Sequence, residues 1–228
     1  MSDLTLPGSP PISVVLRRSA RARNISLRIS QLDGRVTLTL PNRLPEREAV
    51  KFAHEKESWI RKHLAARSED IQVTHGAQVP VGGALLTIVP GRGRRVEMGA
   101  AEIAVPGAAD RVGPRLAAHL REVARDRLAD ASDNYAARLG RPFKKITMRD
   151  TRSRWGSCTA DGALMYSWRL IMAPPEVLDY VAAHEVAHLA EMNHSPAFWA
   201  EVTRIYGPYK EARGWLRKNG AELHRYRF

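Results

Sequence analysis

One cysteine, Cys158, stands among 228 residues. No intramolecular disulfide can form, a usage that fits a reducing compartment. Cys158 follows Gly156-Ser157 near an expected strand and reads as a buried, inert thiol rather than a ligand or nucleophile. Long apolar runs are also missing, and none approaches the ~20 residues of a membrane-spanning helix. Residues 1–11 are polar, contain proline and have no apolar signal region; they read as a flexible tail of a cytoplasmic protein. Acidic residues are scarce, 24 against 36 Lys and Arg, for a net charge of +12.

That excess attracts phosphates and acidic surfaces through its long-range field. Arg17, Arg18, Arg21, Arg23 and Arg28 follow one another with no acid between them. A second group is Arg141, Lys144, Lys145, Arg149, Arg152 and Arg154, and a third crowds the C-terminus. No base-reading motif accompanies them. The expectation is a solvated basic surface with at most weak, sequence-independent nucleic-acid binding.

What is present includes enough apolar residues, 44% of the chain, for a core. Residues 12–16, 25–29 and 35–40 alternate apolar and polar, the period of half-buried strands. Asp33-Gly34 predicts a hairpin turn between the last two. Pro45 opens an expected helix running to about residue 66. Residues 78–81, 84–89 and 103–105 suggest a second small sheet, and 115–139 a long amphipathic helix ended by Gly140. Strands are expected at 143–148 and 162–172, with 163–170 in the latter an expected edge for pairing with a peptide. Pro174-Pro175 then starts a helix, and two shorter helices follow. Strands, helix, strands, then helices is an α+β order, not alternating βαβ units. The expected division is a tail (1–11), a β-rich subdomain with one helix (12–109) and a helical catalytic subdomain with a small antiparallel sheet (110–228).

Residues 177–190 are apolar almost all the way round a helix, which marks a buried one. Into it the sequence places His184-Glu185-Val186-Ala187-His188. Two imidazoles and a carboxylate buried without partners would cost several kcal/mol. A metal ion is the economical partner. Residues i and i+4 share a helix face, so His184 and His188 reach one ion, with Glu185 beside it as a general base. His194 can join them only if the helix stops. Asn193 tolerates the left-handed conformation that ends helices, and Ser195-Pro196 reads as an N-cap and first helical residue. Glu201 is the rival third ligand. Three protein ligands and water form the open site of catalytic zinc, Zn2+. The His188–His194 spacing matches metzincins. Glu191 stands where they carry Gly, however, and no methionine follows Met192, which excludes that class.

Arg152-Ser153-Arg154-Trp155-Gly156-Ser157-Cys158, then Trp168-Arg169-Leu170-Ile171-Met172-Ala173-Pro174-Pro175, then the histidine run and Asn193-His194-Ser195-Pro196-Ala197-Phe198-Trp199, resemble the signatures of the YgjP-like metallopeptidases, relatives of SprT-like, zincin-type proteins. Ser167 stands where Asn is expected in that family. The resemblance implies a zinc-dependent hydrolase with ligands His184, His188 and His194 and base Glu185; the helix motif itself points to peptide-bond hydrolysis, and so to a peptide or protein substrate. Arg152, Arg154 and Trp155 are candidates for the substrate cleft, against a structural role as core anchor and caps. Tyr206, Tyr209 and His224 are candidate oxyanion donors. Two other classes remain open: a zinc hydrolase of another amide or of a nucleic-acid-associated substrate, and a basic nucleic-acid-binding module with structural zinc.

Overall fold

Leu4 and Leu6 continue the apolar alternation of Ile12, Val14 and Leu16 back towards the N-terminus. In the computed structural model, which describes residues 2–30, 34–65 and 69–228, this stretch is not a loose tail. Strand β1 (Ser2–Leu6) pairs antiparallel with β2 (Ile12–Ser19). Leu6 is wholly buried, and that apolar burial holds the segment down. The Arg61 guanidinium clamps the intervening turn by donating to the carbonyls of Pro7 and Pro10. Strands β3 (Ser26–Ile29) and β4 (Val36–Pro41) complete a sheet in the order β1-β2-β4-β3. β3 and β4 are antiparallel, as a hairpin requires. The expected turn at Asp33-Gly34 includes Asp33, which lies outside the described residues. The expected single helix is interrupted at Lys56, giving α1 (Glu46–Glu55) and α2 (Glu57–Ala65). Ala49, Ala53 and Ile60 from these helices share one core with Leu6, Val14, Leu16, Val36, Leu38 and Leu40.

The chain divides into two compact units, Met1–Glu69 and Asp70–Phe228, not at residue 109 as the order of elements suggested. The reason is burial. In the second unit lie β5 (Ile71–Gln72), β6 (Gln78–Val81), β7 (Ala84–Pro90), β8 (Glu97–Met98) and β9 (Glu102–Val105). Their Val79, Ile88, Ile103 and Val105 pack into the same core as the long helix α3 (Ala109–Leu139). That helix starts six residues before the expected Arg115, reading through Gly113-Pro114. Gly113 is needed there, since a Cβ would sit 2.6 Å from the Phe228 backbone. Gly140, at φ +75°, ends the helix as expected.

Strands β10 (Lys145–Arg149), β11 (Gly156–Cys158) and β12 (Ala163–Ser167) form a three-stranded sheet in the order β10-β12-β11. It is mixed rather than wholly antiparallel, because β10 runs parallel to β12. β12 is shorter than expected. Trp168–Met172 turns into a 3₁₀ segment whose five residues are all buried. β12 is also the central strand, so the edges of this sheet are β10 and β11. Then come α4 (Pro175–Ala187), α5 (Pro196–Ile205), α6 (Lys210–Asn219) and a short β13 (Tyr226–Arg227) paired parallel with β5. The fold class is α+β. Among the described residues no helix is long and apolar enough to cross a membrane.

Candidate metal centre

Helix α4 is buried on nearly every side, with Val177, Leu178, Val181, Ala182, Ala183, Val186 and Ala187 in the core. Its polar exceptions come from its C-terminal end. The helix stops at Ala187, earlier than Asn193, where the sequence suggested a left-handed residue. No residue other than glycine has positive φ among the described residues. The chain leaves the helix by tightened bonds instead: Leu189 N to Val186 O and Ala190 N to Ala187 O. Asn193 contributes through its side chain, whose Oδ1 accepts from Ser195 N at 3.0 Å. Ser195 caps α5 by accepting from Phe198 N. His194 is held between these two devices.

The result brings His184, His188 and His194 together, with one ring nitrogen of each lying within 4.8 Å of the others. His184 Nε2 and His194 Nε2 are 3.1 Å apart. The outer nitrogens of two rings face partners that orient them. His188 Nδ1 lies 2.9 Å from the Glu191 carbonyl, and His184 Nδ1 is 3.5 Å from the Tyr180 hydroxyl. Phe198 stacks on His188 at 4.4 Å between centroids. Burial, with the charges of His188, His194 and Arg213 adding to it, lowers the His184 pKa to about 3. Burial also lowers that of His188. Both are therefore neutral, the form that ligates a metal. Three convergent imidazoles fit a borderline divalent ion. The rival, Glu201, is instead engaged with Arg204, Oε2 to NH2 at 2.6 Å.

Glu185 is 6% exposed and burial pushes its pKa up to about 8, with Arg154 pulling the other way. It stands between two halves of an open cleft. One half, about 240 Å³, is lined by Gly156, Ser157, Cys158, Met192 and the three histidines. The other, about 250 Å³, runs past Arg154, Trp155, Tyr180, Val181 and Leu216. Of the three expected cleft residues, Arg154 is exposed at the second half and Trp155 lines it. Trp155 also packs on His224, 5.0 Å between ring centroids. Arg152 is exposed and lines neither half. Cys158 does line the first half, but burial and the charges of Glu185 and Asp161 raise its pKa to about 11, so it is a weak nucleophile.

The candidate oxyanion donors separate. Tyr206 donates its hydroxyl to the Glu176 carbonyl at 2.8 Å, and His224 is buried behind Trp155. Tyr209 stacks between Tyr180 and Trp199. Sequence reasoning gave no part to Gly156, Tyr180 or Phe198. Phe198 was legible only as a helix residue near His194, and Gly156 carried no signal beyond the shared run.

A family model described as YgjP-like, metallopeptidase domain, matches residues 23–219. The chain belongs to the YgjP-like metallopeptidase family. It is accordingly a metal-dependent hydrolase, a peptidase, with peptide or protein as substrate. No curated protein matches it. Among solved structures, the metallopeptidase zymogen abylysin of Pyrococcus abyssi is similar over 44% of this chain and 99% of its own, with 20% identity and a TM-score of 0.37.

Proposed function

We propose that this YgjP-like protein is a zinc peptidase in which His184, His188 and His194 hold the ion and Glu185 is the general base. The observation that carries the reading is the convergence of three imidazoles beside one buried carboxylate. Zinc on three protein ligands supplies a polarised water and a positive charge where oxyanion charge develops. The chain's own residues do the remaining work. Glu185, as the carboxylate, accepts a proton and returns it to the leaving amine. Tyr180 and the Glu191 carbonyl keep two rings turned inward.

An extended peptide is positioned by β11, whose outer edge has no strand partner among the described residues and which borders the cleft. Arg154 and Trp155 contact the substrate in the second half of the cleft. The test is Glu185→Gln. The variant retains zinc by metal analysis and loses hydrolysis of a peptide substrate by about 100-fold or more. Full activity, or loss of the metal, overturns the assignment.

A further inference from the structure

The strands of the first unit carry a second surface. Val14, Leu16, Val36 and Leu38 turn one face of the sheet into the core against α1 and α2. Alternation puts their neighbours on the opposite face. Register aligns Arg17, Thr39 and Ser26 in one row across β2, β4 and β3, and Asp3, Val15, Thr37 and Arg28 in the next across all four strands, so one exposed carboxylate, Asp3, shares the face at its β1 edge. Ser13, Arg17, Ser26 and Arg28 are exposed, and Thr37 and Thr39 are half-buried between them. The connection from β2 to β3 crosses the end of β4 beside the first of these rows. It carries Arg21 and Arg23, both exposed. Among the described residues, Arg17, Arg21, Arg23 and Arg28 have no acidic partner. Arg18 differs, since it donates to the carbonyls of Pro41, Asn42 and Leu44.

We propose that this sheet face is a docking surface for the sugar-phosphate backbone of nucleic acid. It offers four guanidiniums with no acidic partner among the described residues, against the single carboxylate of Asp3, together with rows of hydroxyls; guanidiniums and hydroxyls are the groups that bind phosphate oxygens. Arg17 and Arg28 lie two strand spacings across and one row along, about 12 Å between their backbone positions. That is the rise of about three to four nucleotides along one strand. None of the four strands carries an aromatic residue on which bases could stack, and this unit's helices α1 and α2 pack against the opposite, core-facing side of the sheet. Recognition is therefore of the backbone and independent of sequence. The same lack of large apolar groups on the face argues against insertion into a lipid surface.

The test uses the full chain and fluorescein-labelled 20-mer DNA duplexes of several sequences, with anisotropy read across a sodium chloride series. The expected result is binding that varies little with sequence and weakens steeply with salt. Arg17→Gln/Arg28→Gln weakens it about tenfold or more and makes the slope of log affinity against log salt shallower by about 1.8. Arg17→Lys/Arg28→Lys retains most of the binding. Arg92→Gln/Arg94→Gln removes the same charge from an exposed turn of the other unit and has little effect. Equal weakening by the two glutamine pairs overturns the proposal, because net charge alone would then explain the binding. So does the absence of binding at 50 mM salt, a strong preference for one sequence, or displacement of the duplex by phosphatidylserine vesicles. None of these readings depends on hydrolysis, so they stand apart from the peptidase assignment.

Discussion

Gly156 lies against the Glu185 carboxylate so closely that a Cβ on it would sit 2.6 Å from Oε1 and 2.5 Å from Cγ. The obstacle is a buried side chain wedged between the cleft halves, not the free end of a surface residue. Gly156→Ala must therefore displace Glu185 or β11. A misplacement of about 1 Å in a reacting group costs about 100-fold in rate. The expected outcome is a fall of that order in kcat with metal content and cooperative unfolding preserved. Wild-type kcat in this variant would show that the carboxylate does not need its position.

His194 and Glu201 part company in a metal titration. His194→Ala removes one of the three converging nitrogens and lowers zinc affinity by more than about tenfold. Glu201→Ala breaks only the pair with Arg204 and leaves affinity nearly unchanged. Competition with a chelator measures both. The opposite pattern would mean a site of two histidines and one glutamate.

Asp150 and Arg169 tie the C-terminal chain to the body of the second unit. Arg169, 7% exposed, makes two hydrogen bonds to the Asp150 carboxylate and donates to the carbonyls of Leu223 and Tyr226. Asp150→Ala leaves a buried guanidinium half-satisfied. The expected loss in urea unfolding is about 2 kcal/mol, less than for a fully buried pair because Asp150 is partly exposed. Burial alone would raise the Asp150 pKa, but the hydrogen bonds and charge of Arg169 outweigh it and lower it. A carboxylate so depressed stabilises the fold above its unfolded pKa. That contribution is lost as pH falls through the folded value, and Asp150→Ala abolishes this acid-side component.

His224 predicts a different pH window. Burial first, and the Arg169 charge second, lower its pKa to about 4. Between about pH 6.5 and 4 the unfolded chain binds a proton there that the folded chain does not. Stability therefore falls with decreasing pH, through this group by at most about 1.4 kcal/mol per unit. His224→Gln should flatten the stability–pH curve across that interval relative to wild type, whatever its effect at pH 7. Parallel curves would refute this.

Local rules make much of the centre legible in the chain itself. The i, i+4 spacing puts His184 and His188 on one helix face whatever surrounds them, and the apolar residues around them declare the helix buried. Ser195-Pro196 specifies a helix start by capping chemistry, and Gly140 a helix end by its positive φ. These are effects within one or two turns of chain. Other features depend on distant partners. The alternation at Leu4 and Leu6 is too short to announce β1, which forms because β2 offers an edge and the core a place for Leu6. Residues 162–172 have the composition of one long strand, yet the chain turns after Ser167 to bury all five side chains of Trp168–Met172. The same sheet makes β12 central and β10 and β11 the edges. Residues 78–105 look like a continuation of the N-terminal strands and instead bury their apolar side chains with α3. Gly156 looks like any turn glycine until the fold lays it on Glu185. Periodicity and capping are encoded in neighbouring residues. Strand partners, unit boundaries and the fit of a backbone against a carboxylate are decided by where apolar surface can be buried, a property of the whole folded chain.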